Sequence, residues 1–369
     1  MKVSFLSENV NKKISLVNHA VSGRSQLPIL LNFLLKSEKG KFSISSTDLE
    51  IGIEAVIPAN IEEEGSVTVN AKIFYELLSS IGKGKIVIYT KENNLYFETE
   101  KVKTVFQTMK AEEFPKIYEE KEDKIGKITS SQMSDELPGI VFSASSDSGR
   151  PALSGVLICK GKKKDFFMVA TDGYRLSVRG DYIDEEETEE KKYIIPARII
   201  RELSLLKDGQ DAGVFISKKN NQVLIDQEDL VISGRLIEAE FPNYQKIIPT
   251  DFSSRIVMDK EEFLSAVKTC SIFARESANI IKFSLNKKKL VVSASAPSVG
   301  ETTIDVEAVL EGEENEIAFN GRYVLEFLSN TQGEKIIIEM SGPLNPGVFK
   351  IEGDPDYLHI IMPIRVQES

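Results

Sequence analysis

The chain contains few side chains of the kinds that catalyse reactions or bind metal ions. Its 369 residues include two histidines, His19 and His359, and two cysteines, Cys159 and Cys270. These four residues are far apart in the sequence, which disfavours a disulfide framework, a paired-cysteine redox motif and a zinc site. His359 lies in an apolar run, where a packed histidine is more common than a general base, and no serine or cysteine motif accompanies it.

Three polar segments could suggest chemistry, and each has a simpler explanation. The Gly-Lys-Gly-Lys segment at residues 82–85 lacks the spacing of a phosphate-binding loop and follows a predicted helix, so it indicates a turn. Asp172 precedes Gly173, a dipeptide typical of turns. The acidic run at residues 184–190 is typical of a solvated loop and only rarely of a metal site. The sequence therefore predicts a protein that is not an enzyme and that has no cofactor or metal.

The composition is that of an ordinary globular protein, with 41% hydrophobic and 28% charged residues. The net charge is −11, which argues against a protein that holds nucleic acid through a broad positive surface. The longest apolar stretch, residues 29–35, is interrupted by Asn32 and is too short to span a bilayer. We expect a soluble, cytoplasmic protein with no membrane partner.

A six-residue pattern occurs three times and indicates that the chain repeats itself. Each copy has a basic residue, two apolar residues, a variable residue, an acidic residue and a final apolar residue. The copies begin at Lys72, Arg198 and Arg322, so they are about 125 residues apart. A strand-like segment precedes each copy, and a turn with a β-rich run follows it. The spacing predicts three similar domains, at residues 1–123, 124–249 and 250–369.

Each repeat predicts an α+β unit of two layers, in which two helices pack against a largely antiparallel sheet. In the first copy of the pattern, a set of apolar residues recurs at helical spacing and predicts one buried stripe. These residues are Ile73, Phe74, Leu77, Leu78 and Ile81. The basic residue lies on the outward stripe, in the first turn, where the helix dipole makes it mildly unfavourable. Three such copies suggest a purpose other than helix stability, and the alternative is a solvated helix face with exposed ion pairs.

Several short motifs occur in a fixed order along these repeats. They are Leu27-Pro28-Ile29-Leu30, Thr47-Asp48-Leu49-Glu50, Ala170-Thr171-Asp172-Gly173-Tyr174-Arg175-Leu176, Phe241-Pro242-Asn243-Tyr244 with Ile248-Pro249, and Met362-Pro363-Ile364-Arg365-Val366. With these motifs on a threefold repeat, the chain resembles the bacterial DNA polymerase III beta subunit, the replicative sliding clamp. The resemblance extends from the first predicted helix to the last predicted strand.

The resemblance implies the DNA clamp fold and a role in replication. It implies a head-to-tail homodimer that forms a ring of six domains, with helices lining a central hole and antiparallel sheets outside. Such a ring would encircle double-stranded DNA, slide without sequence preference and act as a processivity factor, a non-catalytic subunit of the DNA polymerase III holoenzyme. Its expected partners are the DNA polymerase III alpha subunit, the clamp loader and other proteins with a clamp-binding motif.

Six basic residues are predicted to face the DNA. The resemblance places Arg24, Lys72, Arg150 and Arg198 there, and the repeat alone adds Arg201 and Arg322. Acidic residues accompany them, including Asp135 and Glu136 on the predicted first helix of the second repeat, so the lining is mixed. Because phosphate contacts carry no base information, we expect weak, salt-sensitive and sequence-independent contact with DNA.

The resemblance also implies a hydrophobic groove that takes a short partner peptide of glutamine and leucine or phenylalanine character. Its lining residues, by position, are Leu153, Thr171, Gly173, Tyr174, Arg175, Leu176, Pro242, Lys246, Ile247, Asn320, Tyr323, Leu344, Ile360, Met362, Pro363, Ile364, Arg365 and Val366. The alternative is that Met362, Ile364 and Leu176 are simply core residues. Tyr174, Ile364, Val366 and the extension at residues 367–369 depart from the usual family pattern, so the depth and peptide preference of the groove stay open.

For the dimer, the resemblance pairs the first repeat of one chain with the third repeat of the other. It points to Phe106 against Ile272 and Phe273 as an exposed apolar cluster at the joint. A further interpretation of the whole sequence is a peptide-binding scaffold built of repeats that does not act on DNA.

Overall fold

The computed structural model describes residues 1–119, 121–160, 166–180, 192–206 and 209–365. The chain forms two compact units. Unit 1 consists of Met1–Thr129 and Gln210–Leu236, and unit 2 consists of Ser130–Gly209 and Ile237–Ser369. The central repeat is therefore divided, because it contributes strands to both units.

Six α-helices are present in the described ranges. They are α1 (Ser7–Asn18), α2 (Ala71–Ser80), α3 (Pro138–Val141), α4 (Ala197–Ser204), α5 (Lys260–Ala274) and α6 (Gly321–Asn330). Within each repeat the two helices contact each other, α1 with α2, α3 with α4, and α5 with α6, and α3 also contacts α6. None of these helices is long and apolar enough to cross a membrane.

The described strands of each unit join into one continuous antiparallel sheet. In unit 1 they are β1 (Lys2–Leu6), β2 (Asn32–Glu38), β3 (Lys41–Thr47), β4 (Ile51–Ile57), β5 (Ala59–Glu63), β6 (Gly65–Asn70), β7 (Lys85–Lys91), β8 (Asn94–Glu98), β9 (Lys103–Met109), β10 (Asp123–Ile128), β15 (Ala212–Ser217), β16 (Gln222–Gln227) and β17 (Leu230–Arg235). In unit 2 they are β11 (Gly155–Lys160), β12 (Phe166–Thr171), β13 (Arg175–Arg179), β14 (Lys192–Pro196), β18 (Ser254–Asp259), β19 (Ile280–Asn286), β20 (Lys289–Ala296), β21 (Gly300–Gly312), β22 (Asn315–Asn320), β23 (Lys335–Met340), β24 (Gly347–Ile351) and β25 (Asp354–Ile361).

Each sheet contains a junction at which two successive repeats share an antiparallel strand pair. In unit 1, β4 of the first repeat pairs with β17 of the central repeat, with Ile53 opposite Ile232. In unit 2, β13 of the central repeat pairs with β25 of the third, with Ser177 opposite His359. Sheet order runs β10-β15-β16-β17-β4-β3-β2-β6-β9-β8-β7-β1-β5 in unit 1 and β14-β11-β12-β13-β25-β24-β23-β18-β21-β20-β19-β22 in unit 2. Pairing across the junctions covers strand edges that a separate repeat would leave open.

The helices that carry the repeated pattern begin where the sequence places them. The Asn70 side chain accepts a hydrogen bond from the Ile73 N–H (3.1 Å) at the start of α2. Asn320 accepts one from the Arg322 N–H (3.0 Å) at the start of α6. Asparagine is a favoured N-cap residue because its side chain satisfies an N–H group that has no partner within the helix. The strands predicted before and after these helices are also confirmed, since β6, β14 and β22 precede them and β7, β15 and β23 follow.

The first helix of the second repeat differs from the simple helix predicted there. Asp135 and Glu136 lie in a π-helical turn, Gln132–Glu136, and the short helix α3 starts only at Pro138. Proline lacks an N–H group and favours the first turn of a helix, so α3 begins where the π-helical turn ends. The equivalent helices α1 and α5 are continuous over 12 and 15 residues.

Aromatic side chains fill the space between helix α2 and its sheet. The Phe74 ring is fully buried and lies 6.3 Å from Phe33, 6.1 Å from Phe97 and 5.7 Å from Phe106 between ring centroids. The prediction that Ile73 joins the buried stripe is wrong, because it is 56% exposed. The sheet covers only the arc of α2 that contains Phe74 and Leu78, which is narrower than the full run of apolar residues.

Replacing Phe74 with alanine tests this core. We expect Phe74→Ala to lower the free energy of unfolding by about 3–5 kcal/mol, because the cavity is enclosed by three other rings. The neighbouring Ile73→Ala is the control and should change it by less than about 0.5 kcal/mol. Urea unfolding monitored by circular dichroism gives the free energy of unfolding of both variants. Equal losses in the two variants would contradict this assignment of the helix faces.

Candidate functional site

A tight turn at residues 171–175 joins β12 to β13. The Thr171 hydroxyl donates a hydrogen bond to the carbonyl oxygen of Arg175 (2.5 Å) and accepts one from the Gly173 N–H (3.0 Å). The Asp172 carboxylate accepts hydrogen bonds from the N–H groups of Tyr174 (2.9 Å) and Arg175 (3.1 Å). Gly173 has a φ of +92°, which glycine adopts without steric cost. The turn leaves the Tyr174 side chain exposed to solvent.

The Arg175 side chain is 6% exposed and ties this turn to α6 and α3. Its guanidinium donates hydrogen bonds to the carboxylates of Asp172 (3.1 Å) and Glu326 (2.5 Å) and to the carbonyl oxygen of Phe142 (2.8 Å). It also lies over two rings, 5.1 Å from the centroid of Phe142 and 4.6 Å from that of Tyr323. A buried cation with these partners is electrostatically satisfied and geometrically fixed.

The segment after β25 runs beside the same turn. The Met362 N–H donates a hydrogen bond to the carbonyl oxygen of Tyr174 (2.9 Å), and the Ile364 N–H donates one to the carbonyl oxygen of Ala318 in β22 (2.8 Å). Pro363 lies between them and has no N–H to donate, which suits a position at the end of a sheet. The segment therefore contacts both the 171–175 turn and the third repeat, while Met362 remains partly exposed.

An apolar cluster supports these segments from below. Leu176 and Ile360 belong to it, together with residues of β11, β12, β14 and β24. Phe241, Tyr244 and Ile248 pack against the cluster from the segment that follows β17. Burial raises the pKa of Tyr244 to about 12, so its phenol is neutral at physiological pH.

The predicted groove residues divide into a buried support and an accessible surface. Thr171, Arg175, Leu176 and Ile360 are buried, so they lie in the support beneath the predicted groove rather than on its accessible surface. The accessible residues are Leu153, Gly173, Tyr174, Pro242, Lys246, Ile247, Asn320, Tyr323, Leu344, Met362, Pro363, Ile364 and Arg365. We call the apolar members of this set, Leu153, Tyr174, Pro242, Ile247, Tyr323, Leu344, Met362, Pro363 and Ile364, the groove surface. Val366 and residues 367–369 lie outside the described residues, as does the acidic run at 184–190.

A turn of the same construction occurs at residues 47–51 in unit 1. The Thr47 hydroxyl donates a hydrogen bond to the carbonyl oxygen of Ile51 (2.8 Å) and accepts one from the Leu49 N–H (3.0 Å). The Asp48 carboxylate accepts hydrogen bonds from the N–H groups of Glu50 (3.0 Å) and Ile51 (2.9 Å). The Arg235 N–H donates a hydrogen bond to the Glu50 carbonyl oxygen (3.3 Å), as Met362 does to Tyr174. The two junctions between repeats are therefore built alike.

The six cations predicted to face DNA are accessible in the structure. Arg24, Lys72, Arg150, Arg201 and Arg322 are exposed, and Arg198 is half-buried. Two of them lie close to the 171–175 turn of unit 2. Arg150 donates a hydrogen bond to the Asp172 carbonyl oxygen (2.9 Å), and Arg322 donates one to the Glu326 carboxylate (2.7 Å). Arg24 and Lys72 belong to unit 1.

The residues predicted for the dimer joint differ in exposure. Ile272 is 63% exposed on α5, and Phe273 is partly exposed. Phe106 is buried within the chain beside Phe74 and Phe97, so it is not part of an exposed apolar cluster. Val105, its neighbour on β9, is exposed instead, because adjacent strand residues point to opposite faces.

Glu326 contacts both Arg175 and Arg322, a role that no motif in the sequence predicts. The acidic fifth residue of the repeated pattern was the available signal. Burial alone would raise the pKa of the Glu326 carboxyl, but the hydrogen bonds from Arg322 and Arg175 outweigh it and lower the pKa. Glu326 is therefore a carboxylate at neutral pH.

Groups that could perform chemistry are packed in the core. His359 is fully buried and stacks on Phe327. A hydrogen bond joins its Nδ1 to the Ser177 hydroxyl (2.8 Å). Burial and the nearby Arg175 hold the pKa of His359 well below its usual value. Burial also raises the pKa of the Cys270 thiol to about 11. Within the part of the chain that the structure describes, no three histidine, cysteine or acidic side chains are grouped to hold a metal ion.

Two aspartate–arginine pairs with the same sequence spacing test the role of the buried arginine. Asp172→Asn removes the charge opposite Arg175, and we expect it to lower the free energy of unfolding by about 1–3 kcal/mol. The matched control is Asp147→Asn, which affects an exposed pair with Arg150 and should cost less than about 1 kcal/mol. Urea unfolding gives both values. If both variants lose the same free energy of unfolding, the burial of Arg175 does not strengthen its pair with Asp172.

Three family models match successive parts of the chain. They describe the N-terminal, central and C-terminal domains of the DNA polymerase III beta subunit, at residues 1–118, 127–243 and 245–365. Together they cover nearly the whole sequence.

Similar proteins extend over the same length. The beta sliding clamp of Bacillus subtilis is 27% identical, with 99% of this chain and 100% of that protein covered. The beta sliding clamp of Synechococcus elongatus is 28% identical, with both chains fully covered. The crystal structure of the Bacillus subtilis DNA polymerase sliding clamp matches with a TM-score of 0.91 at 25% identity, again over the full length of both chains. With its threefold α+β repeat and both repeat junctions, the chain belongs to the DNA polymerase III beta subunit family, the bacterial sliding clamps.

Proposed function

We propose that this protein is a processivity factor of DNA replication that works as a ring-shaped homodimer around double-stranded DNA. In this proposal the helices line the central hole, the sheets lie outside, and the ring slides without sequence preference. The domains have the boundaries 1–123, 124–249 and 250–369. The protein is a non-catalytic subunit of the DNA polymerase III holoenzyme and works in the cytoplasm.

The observation that carries the proposal is a pair of open strand edges, one on β9 and one on β21, which correspond to the two sides of each junction between repeats. Residues 103–107 of β9 pair with β8 on one side, and within the described ranges no strand pairs with their other side. Residues 301–307 of β21 likewise pair only with β20. β9 is the last strand of the first repeat and corresponds to β17 and β25 in the other two repeats. β21 of the third repeat corresponds to β4 and β13, the strands with which β17 and β25 pair. A third junction of the same kind would therefore join β9 of one chain to β21 of another.

The charges on these edges favour that pairing. The β9 edge carries Lys103, while the β21 edge carries Glu301 and Glu307, all exposed, together with Asp305, which pairs with Lys289 of β20 (2.7 Å). Opposite charges on adjacent strands attract, and like edges would repel. Two chains joined head to tail in this way make two such junctions and leave neither edge open, which closes the assembly.

The charge of the protein favours enclosure of DNA over adhesion to it. A dimer carries twice the net charge of −11, which repels a polyanion at long range. A protein that stays on DNA because it encloses the duplex needs only a few local cations. We assign the contacts with DNA phosphates to Arg24, Lys72, Arg150, Arg198, Arg201 and Arg322. Phosphate contacts of this kind are sequence-independent and weaken with salt.

The groove surface is the proposed docking site for partners. It presents apolar side chains at the junction of the second and third repeats, and such patches are typical of sites for linear peptides. Its partners in this proposal are the DNA polymerase III alpha subunit, the clamp loader and other proteins with a clamp-binding motif. A peptide scaffold that does not act on DNA is the less favoured function, since the chain belongs to the sliding clamps along its whole length.

Retention on circular DNA tests the proposed function. The protein is loaded onto a nicked plasmid with a clamp loader and ATP and separated by gel filtration in high salt. We expect it to elute with the intact circle and to be lost when a restriction enzyme linearises the plasmid. Retention that is unchanged after cutting, or nanomolar binding to a short linear duplex at physiological salt, would contradict enclosure.

A substitution on α5 tests the dimer joint. We expect Ile272→Asp to give monomers in multi-angle light scattering at micromolar concentration, because it places a charge in an apolar contact. Val309→Asp is the control, since Val309 is as exposed as Ile272 but lies on the part of β21 that already pairs with β18. A dimer that persists in Ile272→Asp, or that dissociates equally in both variants, would show that the joint lies elsewhere.

A further inference from the structure

We infer that Glu326 is a positioning residue of the groove surface, which it serves by holding Arg175 between the 171–175 turn and the Tyr323 ring. This inference rests on the proposed function of the groove. It assigns Glu326, together with the exposed Arg322, to the support of partner binding.

The geometry places one carboxylate between two guanidinium groups. Glu326 Oε2 accepts a hydrogen bond from Arg175 Nη1 (2.5 Å), and Glu326 Oε1 accepts one from Arg322 Nε (2.7 Å). The Arg175 side chain is 6% exposed, the Glu326 side chain 28% and the Arg322 side chain 73%. The three groups thus form a chain that runs from the solvent side of α6 to the buried support of the groove surface.

Arg175 transmits this position to two parts of the groove surface. Its contact with Asp172 fixes the turn that presents Tyr174, whose carbonyl oxygen also holds Met362. Its guanidinium lies 4.6 Å from the centre of the Tyr323 ring. Because Arg175 is held in place, both sides of the groove surface are ordered in the free protein. Peptide binding then costs less conformational entropy.

Loss of the Glu326 charge would weaken this arrangement. Arg175 would keep Asp172 and the Phe142 carbonyl oxygen but would lose one of its two carboxylate partners. A nearly buried cation with incomplete neutralisation shifts toward solvent, and here that movement would carry the turn and release the Tyr323 ring. Arg322 restrains the same carboxylate from the solvent side, so it contributes less and only through Glu326.

The repeat supplies a matched control. Glu76 occupies the same fifth position of the pattern on α2; it is exposed and belongs to unit 1, whereas the groove surface belongs to unit 2. Glu76→Gln makes the same change of charge at the equivalent helix position. Any difference between Glu326→Gln and Glu76→Gln therefore reports on the contacts of Glu326.

The test measures binding of a fluorescein-labelled peptide that begins with glutamine and ends with leucine and phenylalanine, by anisotropy with the full-length dimer. We expect Glu326→Gln to weaken binding about five- to tenfold, roughly the net contribution of one ordinary hydrogen bond, because the amide keeps an acceptor oxygen but loses the charge. Glu76→Gln should change the affinity less than about twofold. In an Arg175→Met background, Glu326→Gln should have no further effect, because its action passes through Arg175.

A fluorescent reporter separates positioning from general stability. The chain has no tryptophan, so Tyr323→Trp introduces a single indole beneath the Arg175 guanidinium. We expect Glu326→Gln to shift its emission and to lower its steady-state anisotropy, while Glu76→Gln leaves both unchanged.

The outcomes distinguish this inference from the proposed function. If the unsubstituted protein fails to bind the peptide, the groove assignment falls and the inference falls with it. If the unsubstituted protein binds and Glu326→Gln binds equally well, only the inference is overturned. A loss that is just as large in the Arg175→Met background would also overturn it, because Glu326 would then act by another route.

Discussion

Pairing of strand edges between repeats is the constraint on which this structure depends. A two-layer repeat with an antiparallel sheet exposes unpaired N–H and C=O groups at both edges, and such edges invite aggregation unless they are covered. The chain covers two of these junctions itself, through β4 with β17 and β13 with β25. The central repeat is divided between the two compact units because each junction binds its strands to a neighbouring repeat. The inner edges of β9 and β21 are also open, and in the proposed homodimer they pair with a second chain to close a ring.

An assembly that retains DNA by closure needs little affinity for it. Retention by closure does not require the basic patch that DNA-binding proteins usually have. A replication protein can therefore have a net charge of −11. In the proposed function, specific recognition is left to the groove surface, where apolar contacts on a rigid support would supply the affinity. That support includes a buried arginine with two carboxylates, a carbonyl oxygen and two rings around it. Such a group is costly to leave unpaired, so it fixes the loop that carries it.

Much of the fold could be predicted because its signals are local. The three copies of the helix pattern and their flanking strands follow from periodicity over short windows. The burial of individual residues was harder to predict. Ile73 lies on an apolar stripe, yet the sheet does not reach it, and Phe106 faces the interior while Val105 faces outward. The link between Arg175 and Glu326 joins residues 151 positions apart, and only the tertiary fold brings them together. The resemblance predicts the groove segments, but only the tertiary fold shows which of their side chains are buried and which are accessible.

Hydrogen exchange of the two open edges tests the central claim most directly. Amides in residues 103–107 and 301–307 are compared by mass spectrometry between the unsubstituted protein at micromolar concentration and its Ile272→Asp variant. If the edges pair between chains, both segments exchange slowly in the unsubstituted protein and quickly in the variant, while the outer strand β5 exchanges alike in both. If the two segments exchange as quickly as an exposed edge in the unsubstituted protein, the strands do not pair between chains, and the closed ring is contradicted.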